Sequence, residues 1–518
     1  MESPFSHRFN TNYIPSDEEI EFIRRELVSH AHELARIDEH IRQLSAQRDQ
    51  IQAYIEPYRA LITHPRRLPP DILREIFVAC LPSDRNAVMS AQEAPLVLCR
   101  ICSAWRTIAL LTPRLWASLH VPVGYIVRQE ARKPAVIEWL QRSAACPISL
   151  SVAVGEGWHD PSSVSVLLAS LANFSARWRH VEFLHLSPQI VAQFARIRPR
   201  ELISFKFTGA ISSLRTLDMI QVPTLRVVTL HHRGVQYMDD FVLAMPLCWE
   251  QLTHLTLGCN TEYKAVRIGI IVVILDRCTR LVSFRVSLGS TASEDDHPPG
   301  TLSPSLPFLE AFIMTGEGSL SAQSLVRLLE HLSMPHLRHW QFRTEITTIP
   351  GSFSLAALTL TSPLIEDLGS LYLPSFTAES VAETLCSLSS LTRLSVIDSV
   401  IDDDVWDANL ATPSNASHLL HLLTPRRDIE AVVCPALREL VIGRCCDLEQ
   451  STLDAFIRGR KDFSPDFRRL EFRNPSADDL LKDQIRSYIS QGLDVSIVHD
   501  ESGLKPSTPW TDLAEGNQ

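Results

Sequence analysis

The chain has 518 residues, enough for several structural units and a sizeable hydrophobic core. Its composition, 45% apolar and 21% charged, is ordinary for a soluble globular protein, and a formal net charge of −11 does not indicate a nucleic-acid or anionic-membrane surface. No apolar run is long enough to span a bilayer, the polar N-terminus is unlike a signal peptide, and the 11 cysteines are scattered. We therefore expect a cytoplasmic or nuclear protein with neither a membrane nor a nucleic-acid partner.

The N-terminal region divides into a polar stretch, residues 1–15, which we expect to be disordered, and a helical stretch, residues 16–57. Ser16 and Glu19 have the spacing of a capping box, which favours a helix start at this point. Because proline lacks a backbone N–H, Pro57 is expected to end the helix.

A heptad repeat runs through this helical stretch and predicts a coiled coil. Apolar residues alternate at intervals of three and four along both seam positions, with His30 and Arg48 as exceptions among otherwise apolar or aromatic side chains. The pattern does not identify the partner of the seam. Residues 17–56 either pair with a second copy, giving a homodimer, or fold back on the segment at residues 66–120 or on the repeats, both described below.

A second pattern lies between residues 66 and 120. It combines a Leu-Pro pair that opens a short helix, an apolar stripe on that helix, a Cys-x-x-Trp pair and a Leu-Trp pair. About fifty residues are few for an independent core, so a partner is the natural cover for these side chains. The combination resembles an F-box. The alternative is a buried helical hairpin that has no partner.

The resemblance implies that this segment packs on a Skp-type adaptor, and through it joins a cullin and a RING ubiquitin ligase. Two departures from the family pattern are a polar insert, Pro82 to Glu93, and Ser103 with Ala104 where basic residues are more frequent. Lengthening an exposed loop costs little closure entropy. The positions that match the family and would contact the adaptor are Leu68, Pro69, Ile72, Leu73, Ile76, Phe77, Leu98, Cys102, Trp105, Leu115 and Trp116.

Residues 133–498 carry a repeated Leu-x-x-Leu-x-Leu pattern, of which Leu252 begins the clearest copy. Most intervals between copies are 21 to 31 residues, near the length of leucine-rich repeats, and helical patterns lie between them. Single strands of this kind must stack to bury their apolar sides. A further match at Leu355 is too close to the next copy to be a full repeat. The other copies begin at Val181, Leu202, Leu225, Leu281, Leu309, Leu337, Leu368, Leu391, Leu437 and Phe467.

The expected fold class is therefore α/β. We expect an N-terminal coiled-coil helix, a small helical F-box, and an irregular leucine-rich-repeat horseshoe with parallel strands inside and helices outside. Residues 499–518, rich in Ser, Pro, Gly and Glu, are expected to be a disordered tail.

No combination of residues indicates catalysis, a metal or a cofactor. Cys99 and Cys102 form a single Cys-x-x-Cys pair, whereas a structural zinc site needs further ligands at comparable spacing. The sequence predicts a non-catalytic F-box receptor that binds the adaptor through the F-box and a protein target through the repeats. Alternatives are an adaptor-bound scaffold without a role in ubiquitination, and a coiled-coil and repeat protein that serves other interactions.

One feature of the repeats points to a class of target. The positions flanking the inward leucines hold six basic residues against two acidic ones, in a chain whose net charge is negative. Arginines in such a row suit bidentate recognition of carboxylate or phosphate, so an acidic or phosphorylated protein segment is the expected target. The excess is also small enough to arise by chance. The basic residues are Lys206, Arg285, Arg343, Arg393, Arg469 and Arg473.

Overall fold

The chain forms two compact units, Met1–Ile76 and Phe77–Gln518. The predicted tail, 499–518, lies outside the residues that the structure describes. The structure is a computed structural model, and it describes residues 4–61, 68–123, 129–155, 161–233, 238–259, 266–289, 303–316, 322–344, 355–372, 378–397, 415–425, 432–443, 450–464, 466–473, 488–489 and 492–498.

The first unit is dominated by helix α1 (Asp17–Leu61), which is 45 residues long. The predicted capping box closes its first turn: the backbone N–H of Ser16 donates to the Glu19 carboxylate at 2.8 Å, and the N–H of Glu19 donates to the Ser16 hydroxyl at 3.4 Å. The helix does not end at Pro57 but continues for one further turn. A proline removes one helical hydrogen bond, and this close to the terminus the loss affects the last turn alone.

Residues 4–15, for which the sequence predicts disorder, pack against the start of α1. The rings of Phe5 and Phe22 lie 6.2 Å apart, and the Tyr13 hydroxyl donates to the Glu19 carboxylate at 2.8 Å. Arg8 joins the same carboxylate at 3.2 Å. Aromatic side chains and an arginine placed opposite the acidic first turn of a helix account for this local order.

The second unit contains one sheet of fourteen strands, each parallel to its neighbours and arranged in chain order. This arrangement is that of a stack of strand-and-helix units, as the repeat pattern predicts. The strands are β1 (Ser118–Val123), β2 (Ile148–Val154), β3 (Trp178–Leu186), β4 (Ser204–Gly209), β5 (Val227–His232), β6 (His254–Cys259), β7 (Ser283–Leu288), β8 (Ala311–Gly316), β9 (His339–Thr344), β10 (Asp367–Tyr372), β11 (Arg393–Ile397), β12 (Glu439–Gly443), β13 (Arg469–Arg473) and β14 (Asp494–Val498).

Helices precede the sheet and connect its strands. Successive helices contact one another along the array, as between α9 and α10 or α13 and α14. They are α2 (Pro70–Ala79), α3 (Leu98–Ile101), α4 (Ser103–Leu110), α5 (Gln129–Arg142), α6 (Pro161–Ala172), α7 (Pro188–Val191), α8 (Asp239–Val242), α9 (Ile268–Arg277), α10 (Ala322–His331), α11 (Ala356–Thr361), α12 (Ala378–Ser387), α13 (Asn415–Leu423) and α14 (Gln450–Phe463).

Each of the eleven predicted repeats contributes a strand, but the register corrects the start of two of them. Val181 pairs with Phe205, which is the fourth residue of the repeat that begins at Leu202. Val181 is therefore also a fourth residue, and its repeat begins at Trp178. The register of β3 shifts between Leu184 and Leu186, so Val181, Leu184 and Leu186 have the spacing of the pattern and create a false match three residues late.

The second correction concerns Leu368, which pairs with Leu394, the fourth residue of the next repeat. This repeat begins at Ile365. The register of β10 shifts before Leu371, as at a β-bulge, so Leu371 pairs with Val396 one residue late and creates a false match to the pattern. The unassigned match at Leu355 leads into helix α11.

The core lies along two rows of apolar side chains that cross the sheet. In β6 these are Leu255 and Leu257, and in β5 they are Val228 and Leu230, all of them buried. The intervening residues are half-buried, in keeping with the period of two in a strand. No strand can bury these side chains alone, so each repeat depends on the adjacent strands and on the helices behind them.

The sheet begins at β1, ahead of residue 133 where the repeats were predicted to start. The polar insert of the F-box-like segment covers the exposed edge of this strand: the Ala87 carbonyl accepts from the His120 N–H at 2.7 Å, and the Asn86 side-chain carbonyl accepts from the Ser118 hydroxyl at 2.9 Å. We call residues 85–93 the edge cap. The cap satisfies backbone groups that an edge strand otherwise leaves open.

The edge cap is held together by its own charges. Arg85 pairs with Glu93, whose carboxylate also accepts from the Val88 N–H at 3.0 Å. Beneath the cap, the buried His120 ring contacts the Ser151 hydroxyl at 2.8 Å. Burial, with a smaller contribution from the positive charge of Arg85, lowers the pKa of His120 to about 4, so the ring is neutral at neutral pH.

Substitution of one inward leucine tests the stacked core. Leu257→Ala is expected to lower the free energy of unfolding by about 2 to 5 kcal/mol, because it leaves a cavity between neighbouring strands. The matched control is Thr256→Ala on the other side of the same strand, with an expected change within about 0.5 kcal/mol. Urea unfolding followed by circular dichroism measures both, and equal midpoints for the two variants would contradict the assigned sides of β6.

Candidate functional site

The part of the F-box-like segment in the second unit is a pair of short helices followed by a 3-10 turn. α3 and α4 are separated at Cys102, whose extended backbone ends the first helix and whose sulfur accepts from the Trp105 N–H at 3.5 Å as an N-cap. The guanidinium of Arg106 donates to the Cys99 carbonyl at 2.8 Å. Trp105 packs on Phe77, with ring centroids 4.8 Å apart.

Two tryptophans connect this segment to the sheet. The Trp116 ring meets the Trp139 ring of α5 edge-on at 4.9 Å, and its indole N–H donates to the Ala109 carbonyl at 2.9 Å. The Trp139 indole donates to the Ser118 carbonyl at the start of β1, at 3.2 Å. Both indole donors are therefore satisfied inside the core, and residues 98–116 belong to the same folded body as β1.

The family-matching positions separate into two groups by burial. The exposed group lies at the protein surface, and the buried group lies inside the fold. Leu73, Phe77, Leu98, Leu115 and Trp116 are buried; Leu68 and Trp105 are half-buried; Pro69, Ile72, Ile76 and Cys102 are exposed.

Within the first unit, α2 shows this division inside one helix. The N–H of Leu73 donates to the Pro69 carbonyl at 3.1 Å, so the helix starts at the proline pair as the sequence predicts. Leu73 is buried, whereas Ile72 and Ile76, one turn apart, are 49% and 40% exposed. These isoleucines form an apolar stripe that is exposed to solvent.

On and directly after helices α3 and α4, the exposed apolar residues Ile101, Leu110 and Leu111 were not among the predicted contact positions. Leu111 is 68% exposed. The helix break at Cys102 has no proline or glycine to announce it, and the sequence did not distinguish these exposed residues from core leucines.

The cysteine pair of this segment has a structural explanation. Cys102 caps α4, and desolvation of Cys99 raises the pKa of its thiol despite the nearby Arg142 and Arg106. Over the described residues, the cysteines are free thiols and no group of three or more His, Cys, Asp or Glu side chains is arranged to hold a metal ion.

The second candidate surface is the open face of the sheet, defined by one half-buried or exposed residue per strand from β3 to β9. These residues align in register and point away from the leucine rows. They are Glu182, Lys206, Thr229, Thr256, Arg285, Ile313 and Gln341.

Carboxylates on neighbouring strands engage Lys206 and Arg393 of the predicted basic row. Lys206 pairs with Glu182, and Arg393 lies 3.8 Å from both Asp367 and Glu439. A sequence count of bases does not show these pairs, because they depend on cross-strand register.

The last basic residues of the row are paired with a carboxylate of their own strand, β13. Arg469 and Arg473 bind the two oxygens of Glu471 at 2.8 and 2.6 Å. Burial raises the pKa of Glu471, but the two guanidinium hydrogen bonds outweigh it and hold that pKa below the usual range. The side chain of Arg343 lies outside the described residues.

Arg285 differs from the other predicted bases. It is exposed on β7, and no carboxylate in the described parts of the chain forms an ion pair with it. His231 reaches towards it across β6, since a side chain at Gly258 would overlap the His231 ring. Burial, and then the positive charges of Lys206 and Arg285, lower the pKa of His231. We call Lys206, His231 and Arg285 the basic patch.

Comparisons with known proteins do not place the chain in a family. No protein-family model matches the sequence, and no curated protein matches it. Among solved structures, the yeast complex of Rad7 and Elc1 aligns over 65% of this chain and 88% of that chain, with 14% identity and a TM-score of 0.33. A Bacteroides fragilis protein aligns over 72% of this chain and 73% of its own, with 9% identity and a TM-score of 0.24. TM-scores this low do not establish a common fold.

Where the structure describes helices, none is both long and apolar enough to cross a membrane.

The division between buried and exposed positions can be measured directly. Leu115→Ala is expected to cost about 2 to 5 kcal/mol of stability, because Leu115 is fully buried. Ile101→Ala, at a side chain that is 56% exposed, is expected to change stability by less than about 0.5 kcal/mol. The comparison is made by urea unfolding of the full chain. A large loss in Ile101→Ala would mean that this residue is part of the core and does not face a partner.

Proposed function

We propose that the chain is a non-catalytic F-box substrate receptor of a cullin-RING ubiquitin ligase. The observation that supports this most is the division at the family-matching segment: Trp116 and its neighbours build a core, while Ile72, Ile76, Ile101 and Leu111 remain exposed. Exposed apolar side chains on a well-packed support are what a docking partner requires. The proposal entails a reducing location, the cytosol or the nucleus.

The mechanism is proximity. The adaptor and the cullin hold the receptor, and the open face of the sheet captures a target. The target's lysines are thereby presented to a ubiquitin-charged enzyme that is held elsewhere in the assembly. The contribution of this chain is to raise the effective concentration of the target's lysines at that enzyme. No nucleophile, metal or cofactor on this chain takes part in the proposed reaction.

Adaptor binding tests the F-box assignment. Leu68→Ala with Pro69→Ala, and separately Ile101→Asp with Leu111→Asp, are each expected to weaken binding of a purified Skp-type adaptor by about thirtyfold or more, the effect of losing a central apolar anchor. Affinity is measured by biolayer interferometry on the full chain, with circular dichroism as a check on folding. Undiminished binding by both double variants would refute the F-box assignment.

A control variant separates a specific loss from a general effect of added charge. Leu360, at the end of α11, is 85% exposed, so Leu360→Asp introduces the same chemical change elsewhere and is expected to leave adaptor affinity unchanged. Addition of cullin and the RING subunit then distinguishes a ligase receptor from an adaptor-bound scaffold. A scaffold would bind the adaptor without supporting ubiquitination of captured proteins.

The basic patch narrows the expected target to a phosphorylated or acidic protein segment. Arg285 has a guanidinium available for two parallel hydrogen bonds to phosphate, and Thr229 and Thr256 place hydroxyl groups in the row between Lys206 and Arg285. Lys206 is less available because Glu182 already pairs with it.

An array of phosphoserine and phosphothreonine peptides, with its unphosphorylated counterpart, tests the patch. We expect Arg285→Glu to reduce phosphopeptide capture by about tenfold and Glu182→Gln to increase it, since the second change releases Lys206. Arg280→Glu, in the turn before β7, makes the same charge change away from the open face and is expected to have no effect. Equal capture by Arg285→Glu and the unaltered chain would exclude the patch as the target site, without affecting the adaptor result.

A further inference from the structure

The seam of helix α1 is an uncovered apolar stripe in the described structure. Its central side chains are highly exposed: Leu27 is 63%, Leu34 is 61% and Ile51 is 59% exposed. Near the helix end, Tyr54, Ile55, Tyr58 and Leu61 line a shallow apolar groove. A surface helix keeps such a stripe in water only at a considerable free-energy cost, so the seam needs a cover.

The charges of α1 are distributed unequally along its length. Residues 17–39 hold eight carboxylates and three arginines, whereas residues 40–61 hold two carboxylates and three arginines. Two copies in parallel would place the acidic halves side by side. Two antiparallel copies would place each acidic half beside a weakly basic half, which is the more favourable arrangement.

The polar seam residue Arg48 gives the same answer from local geometry. In a parallel pair Arg48 would face the Arg48 of the second copy, with Gln47 as the flanking residue of its packing hole. In an antiparallel pair aligned over the whole helix, Arg48 lies opposite His30, with Ala31 as the flanking residue of its packing hole. The antiparallel pair therefore separates the two Arg48 guanidinium groups, which a parallel pair places face to face.

We propose that α1 forms an antiparallel homodimer in which its apolar seam is covered by the same seam of a second copy. The acidic N-terminal half then binds the C-terminal half, where Ile20 and Ile23 of one copy enter the groove formed by Tyr54, Ile55 and Tyr58 of the other. The seam layers pair Ile20 with Tyr58, Ile23 with Ile55, Leu27 with Ile51, His30 with Arg48, Leu34 with Leu44, and Ile37 with Ile41. The dimer does not rest on the proposed ligase function.

Cross-linking of the full chain determines whether the two helices of the dimer run parallel or antiparallel. Ser29 and Gln50 lie on exposed positions about 32 Å apart along one straight helix, beyond a short amine-reactive reagent. In Ser29→Lys with Gln50→Lys, the antiparallel dimer is expected to give links between positions 29 and 50. A parallel dimer would give links of 29 to 29 and 50 to 50, and would overturn the proposal. Mass spectrometry of the digested dimer reads the linked positions.

A charge exchange tests the Arg48 contact in the unlinked protein. His30→Lys is expected to raise the dimer dissociation constant by about tenfold, since it places a second positive charge opposite Arg48 of the second copy. Adding Arg48→Glu to that variant is expected to restore dimerisation, because each new lysine then faces a glutamate. A parallel pair would instead place lysine opposite lysine and glutamate opposite glutamate. Sedimentation equilibrium measures association, and adaptor binding and helix content serve as folding controls. A chain that remains monomeric well above micromolar concentration would exclude the dimer and leave folding back of the helix as the cover for its seam.

Discussion

The structure of the second unit depends on the burial of two apolar rows that pass through every strand of a parallel sheet. Parallel neighbours cannot be joined by a tight hairpin, so each connection must travel the length of a strand before the next one begins, and here it does so largely through short helices. The stability of such an array is a sum of contacts between adjacent repeats. A cavity in β6 therefore weakens its contacts with β5 and β7 most directly. A short helix or a bulge is tolerated where both rows remain filled with apolar side chains.

The same requirement links the F-box-like segment to the first strands of the sheet. Trp116 on Trp139, Trp139 on β1, and the edge cap on His120 all join residues of the F-box-like segment to the first strands of the sheet. Under the proposed function, this rigid connection fixes the distance between the adaptor and a protein held at the basic patch. Fixed geometry is what a proximity mechanism needs, because the enzyme that carries ubiquitin acts on whichever lysine is brought within its reach.

The sequence identified the repeated strands because the spacing of leucines reports directly on which side of a strand is buried. It misplaced the starts at Val181 and Leu368 because a register shift in β3 and a bulge in β10 each displaced a leucine into a false match to the pattern. β1, β2 and β14 were not recognised as repeats, since their sequences lack the full pattern. The charges of the open face could not be evaluated from the sequence, because the pairing of Lys206 with Glu182 is set by a cross-strand register that the sequence does not state. Likewise, burial separated Leu73 from Ile72 only when the folded helix was available.

The edge cap has a consequence for how the protein is studied. Removal of the whole F-box-like segment, residues 66 to 120, is the usual way to ask whether a receptor works without its adaptor. In this chain such a deletion also removes the edge cap and the first half of β1, and leaves the backbone of β2 as a new unpaired edge. An open edge of a parallel sheet recruits other strands and promotes aggregation. A truncated chain that loses its targets would therefore not show that the adaptor is needed, and substitutions of exposed side chains give the cleaner comparison.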